Sequence, residues 1–255
     1  MDSEKTVDIK LNAILAGIRY QRLWRILDIG GSVVDTILKD KNSPFILDTD
    51  YFTKVAAEEK GMRLMNPKTD CMLKINIDDL IYKHVFDNSA GKEAEKNLSW
   101  YFNSIKKFLV PKIMIDFKIK QIRRVGIVYY YYIESKHISK EYISKVTDNN
   151  SGEITKFNLD FHKKFPAEIA LAKKEINDYK NIIYSIKHKK TEEDKEKKDK
   201  KYEISLDYQY YFDPYTDHLE GWNIGNFLDS SQAYLNNKFY PWLKKRFKNL
   251  EIKSE

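Results

Sequence analysis

The sequence predicts an α+β fold in which largely antiparallel sheets pack against helices. Three observations predict it. First, period-two segments dominate: in 202–213, Tyr202, Ile204, Leu206, Tyr208, Tyr210 and Phe212 share one face, and Glu203, Ser205, Asp207, Gln209, Tyr211 and Asp213 share the other. Second, three segments, 22–39 and near 92–109 and 222–249, switch to helical spacing. Third, strands and helices mix without regular βαβ alternation, which argues against a doubly wound parallel sheet.

In chain order, 7–20 reads as a strand, because Val7, Ile9, Leu11 and Ala13 alternate with Asp8, Lys10 and Asn12. Residues 22–39 take helical spacing through Leu23, Ile26, Leu27, Val33, Val34, Ile37 and Leu38, weakened by Gly30-Gly31. A hairpin follows, with arms 51–65 and 71–86 and the turn "NPKTD" between them. The helix from about Lys92 to Leu109 buries Leu98, Phe102, Ile105 and Leu109, and Pro111 marks its exit. Residues 113–134 are extended, 139–146 form a short helix or turn, and "TDNNSGE" (147–153) is a boundary.

The second half reads as strands at 154–165, 177–188 and 202–212, and "PAEIALAKKE" has no clear period. The charged run 189–201 contains no apolar residue and forms a solvated loop. "DPYTDHLEG" is a turn, and a final helix buries Phe227, Leu228, Leu235, Phe239, Trp242, Leu243 and Phe247, with a kink or restart at Pro241. Two α+β halves are expected, 1–148 and 149–255, the second holding the charged loop and terminal helix. The second half reads as a shorter version of the first, as in a divergent duplication.

With 255 residues, 42% of them hydrophobic, the chain can bury a substantial core. Only 9 glycines and 6 prolines leave it mostly regular. A net charge of +7 permits contact with nucleic acid without demanding it. The single Cys71 excludes an intrachain disulfide and an all-cysteine zinc site. No signal peptide and no apolar run of about 18 residues is visible, so a soluble, cytoplasmic protein without membrane contact is expected. The Lys/Ile/Tyr/Asn-rich composition points to an AT-rich, prokaryotic genome.

The segment "RRVGIVYYYYIE" carries four consecutive tyrosines. Alternation divides them: Tyr129 and Tyr131 join Val125, Ile127 and Ile133 in the core, and Tyr130 and Tyr132 share the other face with Arg124, Val128 and Glu134. Tyr130 and Tyr132 either pack under a helix of this chain or meet a partner, and they are the candidate partner-binding residues. Lys106, Lys107, Lys112, Lys118, Lys120, Arg123 and Arg124 lie upstream, opposed only by Asp116. They are the candidate nucleic-acid-binding residues, set against a plain solvated lysine face.

Catalytic motifs are absent. His84, His137, His162, His188 and His218 have no metal-ligand spacing, and P-loop, GxGxxG, HExxH and GxSxG patterns do not occur. His218 lies near Asp213, Asp217 and Glu220 in what reads as a polar turn. Asp78-Asp79 reads as turn chemistry, and Cys71 as a buried or edge thiol. No catalytic residue, metal ligand or small-molecule cofactor is expected.

Three segments together, "CMLKINIDDLIYKHVF", "WYFNSIKKFL" leading to "RRVGIVYYYYI", and "EGWNIGNFLDSSQAYLNNKFYPWL", resemble a sporadically distributed prokaryotic family of unassigned activity. Its Arg-hydrophobic-Gly-hydrophobic-x-Tyr strand matches Arg124, Val125, Gly126, Ile127 and Tyr129, and Tyr130 stands where an Asn usually follows. The resemblance implies an accessory or interaction protein of mobile defence or toxin–antitoxin loci. The expectation is a non-catalytic accessory subunit of a prokaryotic complex in antiviral defence. It would contact a partner protein and nucleic acid through a basic aromatic surface. Two alternatives stand beside it: a chaperone- or antitoxin-like protein that binds an extended polypeptide, and a metal-dependent nuclease using Asp78 or Asp79.

Overall fold

The computed structural model describes residues 7–46, 50–86, 96–112, 117–119, 121–134, 158–166, 178–189, 201–217, 223–246 and 250–252. The predicted elements at 139–146 and 147–153, all of 167–177, most of the charged run, Lys120 and His218 lie outside them.

The chain opens with β1 (Val7–Ile9) and β2 (Leu11–Tyr20), a 3-10 turn (Trp24–Ile26) and α1 (Gly30–Lys39). Gly30-Gly31 therefore starts the helix rather than interrupting it. Four strands follow: β3 (Lys54–Glu58), β4 (Gly61–Asn66), β5 (Cys71–Asn76) and β6 (Asp79–Val85). The predicted hairpin is thus a four-stranded meander. Its expected turn is present, with Asn66 Oδ1 accepting the Lys68 N–H at 3.0 Å and Asp70 at positive φ. Two further turns, at Glu59-Lys60 and Ile77-Asp78, divide what read as long arms.

Helix α2 (Leu98–Asn103) passes into a π segment (Ser104–Leu109) and stays helical through residues 110–112. Then come β7 (Gln121–Glu134), β8 (Asn158–Pro166), β9 (Tyr179–Lys189) and β10 (Lys201–Asp217). Helix α3 (Ile224–Tyr234), a second π segment (Leu235–Phe239), α4 (Tyr240–Arg246) and β11 (Leu250–Ile252) complete the order.

Pro111 does not end its helix. The Val110 N–H reaches the Ile105 carbonyl, five residues back, immediately before Pro111. The Tyr240 N–H reaches Leu235 in the same way, immediately before Pro241. A π turn widens the helix where a proline ring would clash with the carbonyl four residues back. Both helices cross their prolines by one device. The turn expected at 213–217 is also corrected: β10 continues to Asp217, with a register irregularity between Tyr211 and Thr216 that accommodates Pro214.

Nine strands form one sheet in the order β3-β4-β5-β6-β2-β7-β10-β9-β8, all neighbours antiparallel. β1 and β11 make a separate parallel pair. Among the described residues every helix packs on one face. Tyr129 and Tyr131 bond Ser231 and Tyr240 at 2.8 Å each, Tyr101 donates to the Tyr82 carbonyl at 2.7 Å, and α1 rests on Met62 through Gly30. Val125, Ile127, Tyr129, Tyr131 and Ile133 are all buried there, as alternation required. No helix among the described residues is long and apolar enough to cross a membrane.

Candidate functional site on the open face of the sheet

The sheet face opposite the helices takes the other half of every strand. Tyr130 and Tyr132 lie on it, half-buried, and no described helix covers them. Tyr130 faces Ala13 and Ser205 across the strands, and Tyr132 faces Glu203. Burial, then the charges of Glu203 and Asp207, pushes the Tyr130 hydroxyl up to about 12. This end of the face is tyrosine-rich and acidic.

The other end is basic. Arg19 and Arg124 are directly opposed partners of β2 and β7. The register slips one residue beyond them, since Tyr20 pairs with Ile122, so Arg123 occupies a β-bulge. Ile122 and Val125 are both buried, which leaves Arg123 and Arg124 together between them. Arg124 donates to the Tyr211 hydroxyl at 3.1 Å, and its guanidinium lies 5.6 Å from that ring. Tyr211 stacks on Tyr179 at 4.6 Å and 7°, and Lys164 Nζ caps Tyr179 at 3.9 Å. Two stacked rings are therefore held between two cations. The Tyr211 hydroxyl and the Asn181 amide both donate to Gln209 Oε1, and Gln209 Nε2 donates to Asp207 at 2.5 Å.

A 3-10 turn carries Trp24 past this basic end. The turn is tied to the sheet by Gln21 N–H to the Gln121 carbonyl and Leu23 N–H to the Ile77 carbonyl. Trp24 is 62% exposed, with the Arg22 guanidinium 5.5 Å from its ring centre, and Arg25 donates to the Phe117 carbonyl.

The predicted cations do not form one strip. Lys106 belongs to the helix layer, paired with Asp229 of α3 at 2.7 Å, beside a cleft of about 290 Å³ between α2 and α3. Lys112 pairs with Asp40 at 2.8 Å and holds that carboxyl below the usual range. Lys107 and Lys118 are exposed. Of those described, only Arg123 and Arg124 meet on the open face. Arg19, Lys164, Tyr179 and Tyr211 were missed. Tyr211 left one signal, a tyrosine on the otherwise polar side of its strand.

Beneath the helices, Cys71 lies 3.7 Å from His84 Nδ1, a spacing that suggests a nucleophile and base. The geometry gives the pair a structural role. His84 Nε2–H donates to the Lys96 carbonyl at 3.1 Å, Nδ1 accepts from Tyr51 at 2.9 Å, and Tyr82 then donates to Tyr51 at 2.7 Å. Burial lowers the His84 pKa to about 4, so the ring is neutral and cannot sustain an imidazolium–thiolate pair near neutrality. Cys71, Tyr51 and His84 are all buried. Asp78 and Asp79 border a turn, where the Asp79 carboxylate accepts from Asn76 at 2.7 Å and the Asp78 carbonyl from Tyr20 N–H. Among the described residues no group of three or more His, Cys, Asp or Glu is placed to hold a metal ion.

Two shifted groups act against each other in acid. His84 is harder to protonate folded than unfolded, so its contribution is complete above about pH 6.5 and is lost as pH falls toward 4. Asp207 has the opposite sign: burial raises it to about 6, so folded Asp207 takes up its proton first and stabilises as pH falls from 6 toward 4. Asp207→Asn removes that offset. Urea titrations from pH 7 to 4.5 are expected to show stability falling more steeply in the variant; parallel profiles would refute the assignment.

No protein-family model matches the chain, and no curated protein matches it.

Proposed function

We propose that the chain is a non-catalytic accessory subunit of a prokaryotic complex, one serving antiviral defence. On this reading its open sheet face binds nucleic acid at the basic end and a protein partner at the tyrosine end. The observation that carries the reading is the polarity of this one face. Arg19, Arg123, Arg124 and Lys164 gather with Tyr179 and Tyr211 at one end, and Tyr130 and Tyr132 lie with Glu203 and Asp207 at the other. Cations set among aromatic rings suit phosphates and unstacked bases; half-buried tyrosines among carboxylates suit a protein surface. The test is purification from the native host with Arg124→Glu and with Tyr130→Ser plus Tyr132→Ser. Charge reversal is expected to release a nuclease-sensitive component and keep a stoichiometric protein; the tyrosine variant is expected to do the reverse. A monomer carrying neither component would overturn the reading.

The same reading takes the chain as two related halves. Gly17-Ile18-Arg19-Tyr20 and Gly126-Ile127-Val128-Tyr129 share a pattern, and Gly17 pairs with Gly126 at the centre of the sheet. β2 pairs with the last strand of the meander that follows it, and β7 does likewise. Each half then ends in a helix with a π segment before a proline. The units would run from β2 to α2 and from β7 to α4, which would put the division before Gln121 instead of between 148 and 149 as the sequence alone suggests.

A second reading, capture of an extended polypeptide by strand addition, is favoured by β3. This edge strand exposes Val55, whereas the opposite edge, β8, carries Asp160, His162, Lys163 and Lys164. Salt separates the two readings, since nucleic-acid affinity falls steeply with ionic strength.

A further inference from the structure

Directly opposed like charges destabilise an antiparallel pair, yet Arg19 and Arg124 face each other, with Arg123 beside them in the bulge. Neither Arg19 nor Arg124 makes an ion pair among the described residues. Asp79 faces Arg19 from β6 but holds Asn76 instead. An arrangement of this kind is relieved by an anion bound between the guanidinium groups.

The next rung on the same face is Gly17 opposite Gly126. A Cβ on Gly17 would meet nothing closer than 3.8 Å, and one on Gly126 nothing closer than 3.5 Å. Neither residue has the left-handed φ that favours glycine. Packing and backbone conformation therefore do not require glycine at either position. Glycine inside a strand otherwise marks a bulge or a close approach from above, and the bulge here falls beyond the Arg19–Arg124 rung rather than at the glycines.

Beyond the glycines, Leu15 opposes Val128, and Ile81 and Gln209 flank the rung. The rung lies within about 14 Å by about 14 Å between flanking Cα atoms, from strand rise and spacing, and Gln209 Cγ and Asp207 Oδ1 reach to 3.5 and 4.0 Å from the Gly126 Cβ position, so the bare backbone lies toward Gly17. It has a cationic wall on one side and, on the other, the apolar Leu15 and Val128 with the Asp207 carboxylate beside them.

We infer that this is a seat for one unpaired nucleotide. The phosphodiester lies between Arg19 and Arg124, and the base lies flat on the Gly17–Gly126 backbone against Leu15 and Val128. The inference rests on the nucleic-acid reading above and narrows it to single strands, because a duplex keeps its bases stacked and offers only phosphates.

Fluorescence anisotropy of the full chain tests it, with a labelled 20-nucleotide oligothymidine or oligouridine and a 20-base-pair duplex over a salt series. Arg19→Ala and Arg124→Ala are each expected to weaken single-strand binding about tenfold and to flatten its salt slope by roughly one phosphate contact. Gly126→Val suits a strand and its Cβ would meet nothing closer than 3.5 Å, so its melting temperature and salt slope are expected to hold. Its single-strand affinity is expected to fall at least tenfold while duplex affinity stays. If Gly126→Val binds single strands normally, or loses both ligands equally, the base seat is overturned. If the wild-type chain binds and both arginine variants bind equally well, the phosphate site is overturned and the nucleic-acid reading stands. If the wild-type chain binds neither oligonucleotide at low salt, the nucleic-acid reading itself falls.

Discussion

Tyr131→Ala is expected to destabilise the fold by about 3–5 kcal/mol, and its neighbour Tyr132→Ala by about 1 kcal/mol or less. Tyr131 is 1% exposed, lies 6.0 Å from the Phe239 ring, and its hydroxyl meets Tyr240 at 2.8 Å. Truncation leaves a cavity under the π segment and removes the hydroxyl that meets Tyr240. Tyr132 is half-buried on the open face, and its backbone N–H donates to Asn12 Oδ1 at 2.8 Å, a bond that truncation leaves in place. Urea denaturation of both variants measures the difference; equal losses would contradict the division of the tyrosine run between two faces.

Gly61→Ala is the second large effect. A Cβ there would stand 2.0 Å from the Ile75 carbonyl oxygen and 2.8 Å from Asn76 Cα, both backbone atoms of the neighbouring strand. No side chain can rotate away, so β4 and β5 would have to separate where Gly61 pairs with Asn76. A loss of about 3 kcal/mol or more is expected, at or above the usual range for overpacking. Gly31→Ala is the control. Nothing lies within 4 Å of its Cβ and the residue is in α1, so up to about 1 kcal/mol should be gained. Thermal melts that rank the two variants otherwise would refute this account of the β3–β4 turn.

Much of the architecture was legible in single strands. Period two alone placed Tyr129 and Tyr131 in the core and Tyr130 and Tyr132 on the opposite face, because the side-chain period of a strand tolerates no ambiguity once one face is apolar; whether a helix covers that face it left open. Helical stripes located α2 and α3. What was not legible is what depends on neighbours. The turn at Glu59-Lys60 rests on Gly61 lying against Ile75, a contact made by a different strand. The helices passing through Pro111 and Pro241 depend on one extra residue per turn, which no propensity encodes.

The candidate site shows the same limit. Lys106 and Lys112 read as solvated cations, but Asp229 and Asp40 come from other elements to meet them. Conversely, the Arg19–Arg124 pair and the Tyr179–Tyr211 stack exist only because β2 meets β7 and β10 meets β9. Register is a property of the pair of strands, and neither member announces it alone.

The order of the sheet also governs how it can assemble. β3 to β6 is a local meander and β8 to β10 a second, each able to form without the other. The β2–β7 ladder spans the largest sequence separation in the nine-stranded sheet, joining Leu11 to Tyr131 and Gly17 to Gly126. Closure of that loop is the costliest single closure in the sheet, so zipping this ladder is expected to be the slow step of folding. The same ladder, central and capped by helices on one side, opens last. Its amides should exchange with deuterium only through global unfolding, while those of the edge strands β3 and β8 exchange through local fraying.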